Sequence, residues 1–208
     1  MAVRTTLSWL FGLLLALPAL WLGYEIFQEI QAPGTRFGAD PGAAVTDFLG
    51  EWALRMLLLT LLISPLRRLT GVAALAPLRR TAGLFAFGYL LLHVLGYLGL
   101  LAAFDGSQIL ADLTERTYII AGLVALVCLT PLAITSTRGW QQRLRRRWVT
   151  LHRLVFVAAF AALLHLFWLT RDGYGEPLLY AGVFALALIE RLLYRRRQRL
   201  PAAPVPTP

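Results

Sequence analysis

The chain has 208 residues, 58% of them hydrophobic and 15% charged, with 20 Lys and Arg against 11 Asp and Glu and a formal net charge of +9. A mean hydropathy of +0.66 excludes an ordinary soluble domain, and the length excludes a lone anchor helix. A pI near 10.8 would point to nucleic acid if the arginines formed one patch on a soluble fold. They stand instead in short clusters between apolar runs, without an aromatic-basic platform, so no nucleic-acid role is expected.

Six apolar runs, parted by polar, Gly- or Pro-containing connectors, predict helices over about 5–24, 50–66, 81–104, 117–137, 148–170 and 177–194. Crossing the hydrocarbon core takes about 20 residues. Residues 1–199 therefore read as an all-α integral membrane protein, six transmembrane helices in one bundle.

The first span opens like a secretory signal, with Arg4 before a leucine-rich run, but PALWLGYE (18–25) offers no small-residue cleavage site. It reads as a retained helix kinked at Pro18. The second span is the weakest, because Glu51 and Arg55 sit in its first turns, spaced i,i+4 so that they can pair near the interface. Ahead of the third come Arg79 and Arg80; inside it are His93 and the small residues Gly83, Gly88, Gly96 and Gly99, which suit close helix or macrocycle approach. The fourth holds Cys128, the one cysteine in the chain. That count rules out an intrachain disulfide, cysteine-ligated zinc and iron–sulfur sites, and the lack of C-x-x-C-H rules out covalent haem attachment. The fifth carries His152 and His165. After the sixth come a basic stretch from Arg191 to Arg199 and a Pro-rich segment, 200–208, expected to be disordered.

Charge sets the orientation. Arg4, Arg67, Arg68, Arg79, Arg80, Arg138, Arg143, Arg145, Arg146, Arg147 and the basic stretch all fall on one side of the alternating spans. The other side carries Glu25, Glu29, Asp40, Asp47, Asp105, Asp112, Glu115, Asp172 and Glu176 against only Arg36, Arg116 and Arg171. The positive-inside rule then puts both termini in the cytoplasm. Most of the arginines are accounted for by orientation and contact with anionic membrane lipid.

The three histidines carry the chemistry. An ionisable ring at membrane depth is expensive and marks a functional site by default, and imidazole is a common axial ligand of haem iron. At 1.5 Å per residue, His93 lies about 18 Å beyond Thr81 and His165 about 25 Å beyond Trp148, whereas His152 is only about 6 Å in. A bis-imidazole b-type haem between the third and fifth spans is the simplest way to satisfy the deep pair. His152 and His165 are about 220° apart on an ideal helix, so they point differently unless that helix is distorted. For His152, beside Trp148, an interfacial structural role competes with ligation. A second haem would need another partner near it; Arg79 and Arg80 are at the right depth but suit haem propionates or a flavin phosphate rather than iron. Phe85, Phe87, Tyr89, Tyr97, Phe156, Phe160, Phe167 and Trp168 could wall a porphyrin, face lipid or pack the core.

Beyond these residues, ISPLRRL (63–69), RRTAGLFAFGYLLLHVLGY (79–97), DLTERTYIIAGL (112–123), PLAITST (131–137), RLRRRWVTLHRLVF (143–156) and ALLHLFWL (162–169), in that order, resemble the MsrQ (YedZ) family of the ferric-reductase-like transmembrane superfamily. The resemblance implies a haem-binding subunit of a methionine sulfoxide reductase system in the bacterial inner membrane, with b-type haem and FMN. Its electrons would come from the quinone pool or a cytosolic flavin reductase and pass to a periplasmic molybdopterin subunit, MsrP. Such a protein carries electrons and does no sulfoxide chemistry itself. The family histidines map onto His93, His152 and His165, and His93 alone on the partner helix cannot complete two bis-histidine haems. Three positions depart from the family pattern: Thr117 stands in place of an Arg-Pro pair, Ala82 in place of Leu and Arg145 in place of Gly. The rival readings are a ferric reductase or the cytochrome b subunit of another respiratory enzyme and, from another class, a transporter or scaffold without haem. A transporter usually shows internal repeats or interrupted helices, and the sequence displays neither.

Overall fold

The computed structural model describes residues 2–171 and 173–199; the Pro-rich segment expected to be disordered and Asp172 lie outside the described residues. Among them every regular element is helical: α1 (Ala2–Gln31), α2 (Pro41–Thr70), a 3-10 turn (Ala73–Leu75), α3 (Leu78–Gly96) running into a π turn (Tyr97–Leu101), α4 (Gly106–Glu115), α5 (Thr117–Ile134), α6 (Arg138–Leu144), α7 (Arg146–Leu151), α8 (Leu154–Leu169) and α9 (Gly175–Arg199). Six stretches are long and apolar enough to span a membrane: Thr6–Gln31, Pro41–Thr70, Ala73–Leu101, Thr117–Ile134, Arg146–Leu169 and Gly175–Gln198. The six-helix integral membrane architecture stands.

The second helix starts earlier than the hydropathy suggests. Asp40 caps it by accepting from the Ala43 amide at 2.9 Å, and Pro41 occupies its first turn, where a missing N–H costs nothing. Gly71, in the left-handed region at φ 71°, closes its far end. Glu51 and Arg55 thus lie well inside the helix instead of in its first turns. Their pair forms at 2.7 Å, and Arg55 also reaches Glu176 at 3.1 Å and the Tyr180 hydroxyl at 2.7 Å on α9. Neutralising the charge by this network makes its depth affordable.

Half of the most apolar stretch of α2 is buried, against 11% of that of α1. So α2 is the central helix, packed by α3, α8 and α9, and α1 lies at the edge with Leu10, Leu13, Leu17 and Trp21 turned outward. Van der Waals fit, not water exclusion, drives helix contacts in lipid, which favours small residues at the seam. A Cβ on Gly96 would meet Thr46 Oγ1 at 3.0 Å, and one on Gly83 would meet Thr60 Cγ2 at 3.5 Å, whereas Gly88 faces open space. Across the basic end, Arg68 donates through Nε and Nη2 to both oxygens of Glu190, a fork that ties α2 to α9.

Pro18 lies inside α1. One residue on, the Tyr89 hydroxyl enters the helix, donating to the Leu15 carbonyl at 2.8 Å and accepting from the Ala19 amide at 3.1 Å. A tyrosine of α3 thereby satisfies backbone groups on the turn that the proline disrupts. At the acidic end, Asp105 caps α4; the Ser107 hydroxyl and the Ser107 and Gln108 amides hold its carboxyl below the usual carboxylate range.

Candidate functional site

His93 on α3 and His165 on α8 are brought together, their ring centroids 6.0 Å apart and their planes at 86°. Each ring is tied in the same way. His93 Nδ1 donates to the Thr46 carbonyl at 2.8 Å, and His165 Nδ1 donates to the Tyr118 carbonyl at 2.7 Å. A carbonyl only accepts, so both imidazoles carry a proton on Nδ1, which in the neutral ring leaves the lone pair on Nε2. This carbonyl contact on the far nitrogen is the arrangement that orients metal-bound histidine and raises its basicity.

Glycine makes room for both rings. A Cβ at Gly50 would come within 2.9 Å of His93 Cε1 and Nδ1, and one at Gly122 within 3.0 Å of His165 Nδ1. Any larger residue would push the imidazole off its carbonyl. The spacing of the pair suits two ligands that would share one ion. A metal–nitrogen distance of about 2 Å on each side, plus about 1 Å from nitrogen to ring centre, gives centroids about 6 Å apart. Among the described residues no group of three or more His, Cys, Asp or Glu side chains is assembled to hold a metal. Two imidazoles at this spacing fit the chemistry of a porphyrin-bound iron, which would need only these two ligands from the chain.

His152 sits apart from this pair. The fifth span is interrupted there: α7 ends at Leu151, His152 and Arg153 form a turn, and α8 begins at Leu154. The helix is thus interrupted, a feature not visible in the sequence, yet His152 and His165 still point to different places. The Trp148 ring stacks on the His152 ring at 3.9 Å, with its Nε1 donating to the Thr135 carbonyl at 2.9 Å. His152 Nε2 lies 3.1 Å from Thr135 Oγ1, whose hydroxyl donates to the Pro131 carbonyl at 2.6 Å.

His152 lines a cavity of about 260 Å³ together with Arg79, Arg80, Gln141, Trp148 and Thr60. Arg79 is half-buried and, among the described residues, has no hydrogen-bond or carboxylate partner. It also lines a neighbouring cavity of about 150 Å³ with Ser64 and Arg67. Cations lining a recess without a matching anion form a receptor for a phosphate or carboxylate. The candidate residues thus fall into two groups, the facing imidazoles and a polar recess at the basic end.

Several positions that build the first group carry no sequence signal of their own. Thr46 and Tyr118 act through backbone carbonyls, and Gly50 and Gly122 act by lacking a side chain. The one available clue was that a glycine precedes each deep histidine by the same interval. Of the aromatic residues considered as porphyrin walls, Phe160 and Trp168 are 55% and 54% exposed and face outward, and Tyr89 is committed to α1.

The family described as "Ferric reductase like transmembrane component" matches residues 49–163, which include His93 and His152 and stop just short of His165. The chain is 44% identical over 193 residues, covering 91% of it and 88% of the relative, to a protein of Xanthomonas campestris pv. campestris (strain 8004) named "Protein-methionine-sulfoxide reductase heme-binding subunit MsrQ". Proteins of the same name in Xanthomonas axonopodis pv. citri (strain 306) and Rhodospirillum rubrum are 42% and 44% identical to it, over 92% and 88% of the chain and 88% and 86% of the relatives.

Proposed function

The chain belongs to the MsrQ family of ferric-reductase-like transmembrane components, and from that premise we propose that it is a haem-binding, electron-carrying membrane subunit of a methionine sulfoxide reductase system. The observation that carries this reading is the pair of imidazoles 6.0 Å apart, each with Nδ1 bonded to a carbonyl. The name that the relatives bear, a heme-binding subunit, accords with it.

In this reading His93 and His165 would together hold a b-type haem. Bound there, the haem iron supplies a one-electron ferric/ferrous couple. The chain contributes the rest. Thr46 and Tyr118 fix the tautomer and rotation of each imidazole, Gly50 and Gly122 let the rings seat against the helices, and α3 and α8 set the depth. No proton-transfer residue is required in the bilayer for such a couple, and the chain performs no sulfoxide chemistry itself.

The recess at the basic end is the place for a second cofactor with an anionic group, the phosphate of FMN or the propionate of a second haem. Arg79 and Arg80, which line it, would hold that group, and His152 would be the ligand or polar partner beside it. With both termini in the cytoplasm, this recess faces inward and the imidazole pair lies toward the periplasmic side of the bacterial inner membrane. The path proposed runs from the quinone pool or a cytosolic flavin reductase, across the chain, to a periplasmic molybdopterin subunit of the MsrP type.

The absorbance spectrum of the purified, full-length protein tests the reading. A reducible Soret band with sharp α and β bands is expected, lost in a His93→Ala, His165→Ala double variant. A colourless parent, or colour that survives the double substitution, refutes the ligand assignment. Reoxidation of the reduced protein by a periplasmic MsrP-type enzyme tests the partner; without it, the electron acceptor must be sought elsewhere.

A further inference from the structure

At the acidic end, hydrogen bonds and one ion pair link the helix of one imidazole to the residue whose carbonyl holds the other. Tyr97 follows His93 by one turn, where α3 widens into the π turn and the Ala102 amide bonds back to the Tyr97 carbonyl at 2.9 Å. Such local widening of a helix often accompanies a functional position. The Tyr97 hydroxyl donates to Asp112 Oδ2 at 2.8 Å. The other oxygen of Asp112 takes Arg116 Nε at 2.9 Å. Arg116 Nη1 in turn donates to the Tyr118 hydroxyl at 2.9 Å. Tyr118 closes the chain: its carbonyl accepts from His165 Nδ1 at 2.7 Å, and its ring stands edge-on to that imidazole at 5.7 Å.

Asp112 is the keystone of this chain. It is only 6% exposed, although it sits on a short helix outside the spans, and both its oxygens are engaged. A carboxylate buried this far is costly and contributes little net stability over an apolar side chain of similar volume. Its partner Arg116 is 51% exposed, so that solvent screens the guanidinium charge more than the carboxylate charge. Of the two charges, the carboxylate is thus the less screened. The same carboxylate holds Arg116 against Tyr118, which steadies the carbonyl on His165.

We propose that Asp112 is a positioning residue of the imidazole pair: it holds Tyr118 against His165 and, by its charge, lowers the reduction potential of the group that the two histidines bind. The inference rests on the haem reading above and adds to it a group that touches neither ligand. Three effects of removing the charge agree in sign. The ferric state loses an anionic neighbour, Arg116 is left as an uncompensated cation, and a loosened Tyr118 carbonyl makes His165 a weaker donor. Each favours the reduced state.

The test is a spectroelectrochemical titration of the full-length protein in detergent, with haem-to-protein ratio and low-spin spectrum measured alongside. Asp112→Asn keeps the size and an acceptor for Tyr97. It is expected to retain haem and to shift the midpoint positive by at least a tenfold change in the oxidised-to-reduced ratio at fixed poise, about 59 mV for one electron. Asp112→Glu is expected to return part of the shift. Tyr118→Phe leaves the carbonyl and removes only the Arg116 link; it is expected to move the potential in the same direction by less, and it decides the matter if Asp112→Asn loses haem. An unchanged potential in a haem-loaded Asp112→Asn or, failing that, Tyr118→Phe protein overturns the inference and leaves the haem reading intact. A colourless parent overturns both.

Discussion

Thr46 and Tyr118 occupy equivalent places in two halves of the bundle: each gives its backbone carbonyl to the Nδ1 of a histidine 47 residues further along. The glycine one turn beyond each, Gly50 and Gly122, faces the same ring. One offset in the chain relates all three members of one set to those of the other. The pairs α2–α3 and α5–α8 are thus two versions of one hairpin that meet at their histidines. No repeat is visible in the sequence because only a carbonyl, an absent Cβ and an imidazole have to recur, while the lipid-facing residues between them are free to drift.

Gly50→Ala is expected to displace the His93 ring, since the added methyl would stand 2.9 Å from two of its atoms. Overpacking of this kind costs about 1–3 kcal/mol. The haem-to-protein ratio, measured with the thermal unfolding midpoint, should fall for Gly50→Ala and fall less for Gly122→Ala, where the contacts start at 3.0 Å. Full haem content in both would show that the rings are not held as described.

Tyr89→Phe should loosen α1 from the rest of the bundle. The Tyr89 hydroxyl is the partner of Leu15 O and Ala19 N, beside Pro18, and leaving buried polar groups unpaired costs about 1–3 kcal/mol each. Thermal unfolding in detergent, with proteolysis followed near the N-terminus, reads the effect. Parental stability would mean that the α1 turn needs no outside partner.

Arg145→Gly is expected to stabilise the protein. Arg145 is held at φ 47° and ψ −116°, between α6 and α7. A non-glycine residue in so sparsely populated a region costs on the order of 1–3 kcal/mol, offset in part by the larger unfolded-state entropy of glycine. A net gain of about 1 kcal/mol should raise the unfolding midpoint by a few degrees. A lower midpoint would indicate that the Arg145 side chain makes up for its strain through the membrane surface.

His152→Ala should separate the two groups of candidate residues. The bands due to the His93–His165 pair are expected to persist, because His152 lines the other recess. Any flavin or second haem retained by the parent should drop at least severalfold, and further with Arg79→Gln. Pyridine haemochrome and flavin assays on the same preparations provide the count. Loss of the main bands in His152→Ala alone would place His152 at the deep site.

The number of spans and the common level of His93 and His165 were legible in the chain, because hydropathy and rise per residue are properties of a segment by itself. Its capping residues could also have been read: Asp40 and Pro41 announce the true start of α2, and the apolar run concealed it only because Glu51 and Arg55 break the pattern. Arg145 announced itself as a departure from a family glycine, and its positive φ gives the departure a physical meaning.

What one dimension could not decide was rotation and partnership. Whether His93 faces His165, which carbonyls claim their Nδ1 protons, why His152 turns away at a break in its helix, and how Asp112 reaches Tyr118 depend on how separate helices are turned against each other. That choice is made by packing between helices, where contacts fall off within an ångström, so no property of any single segment contains it.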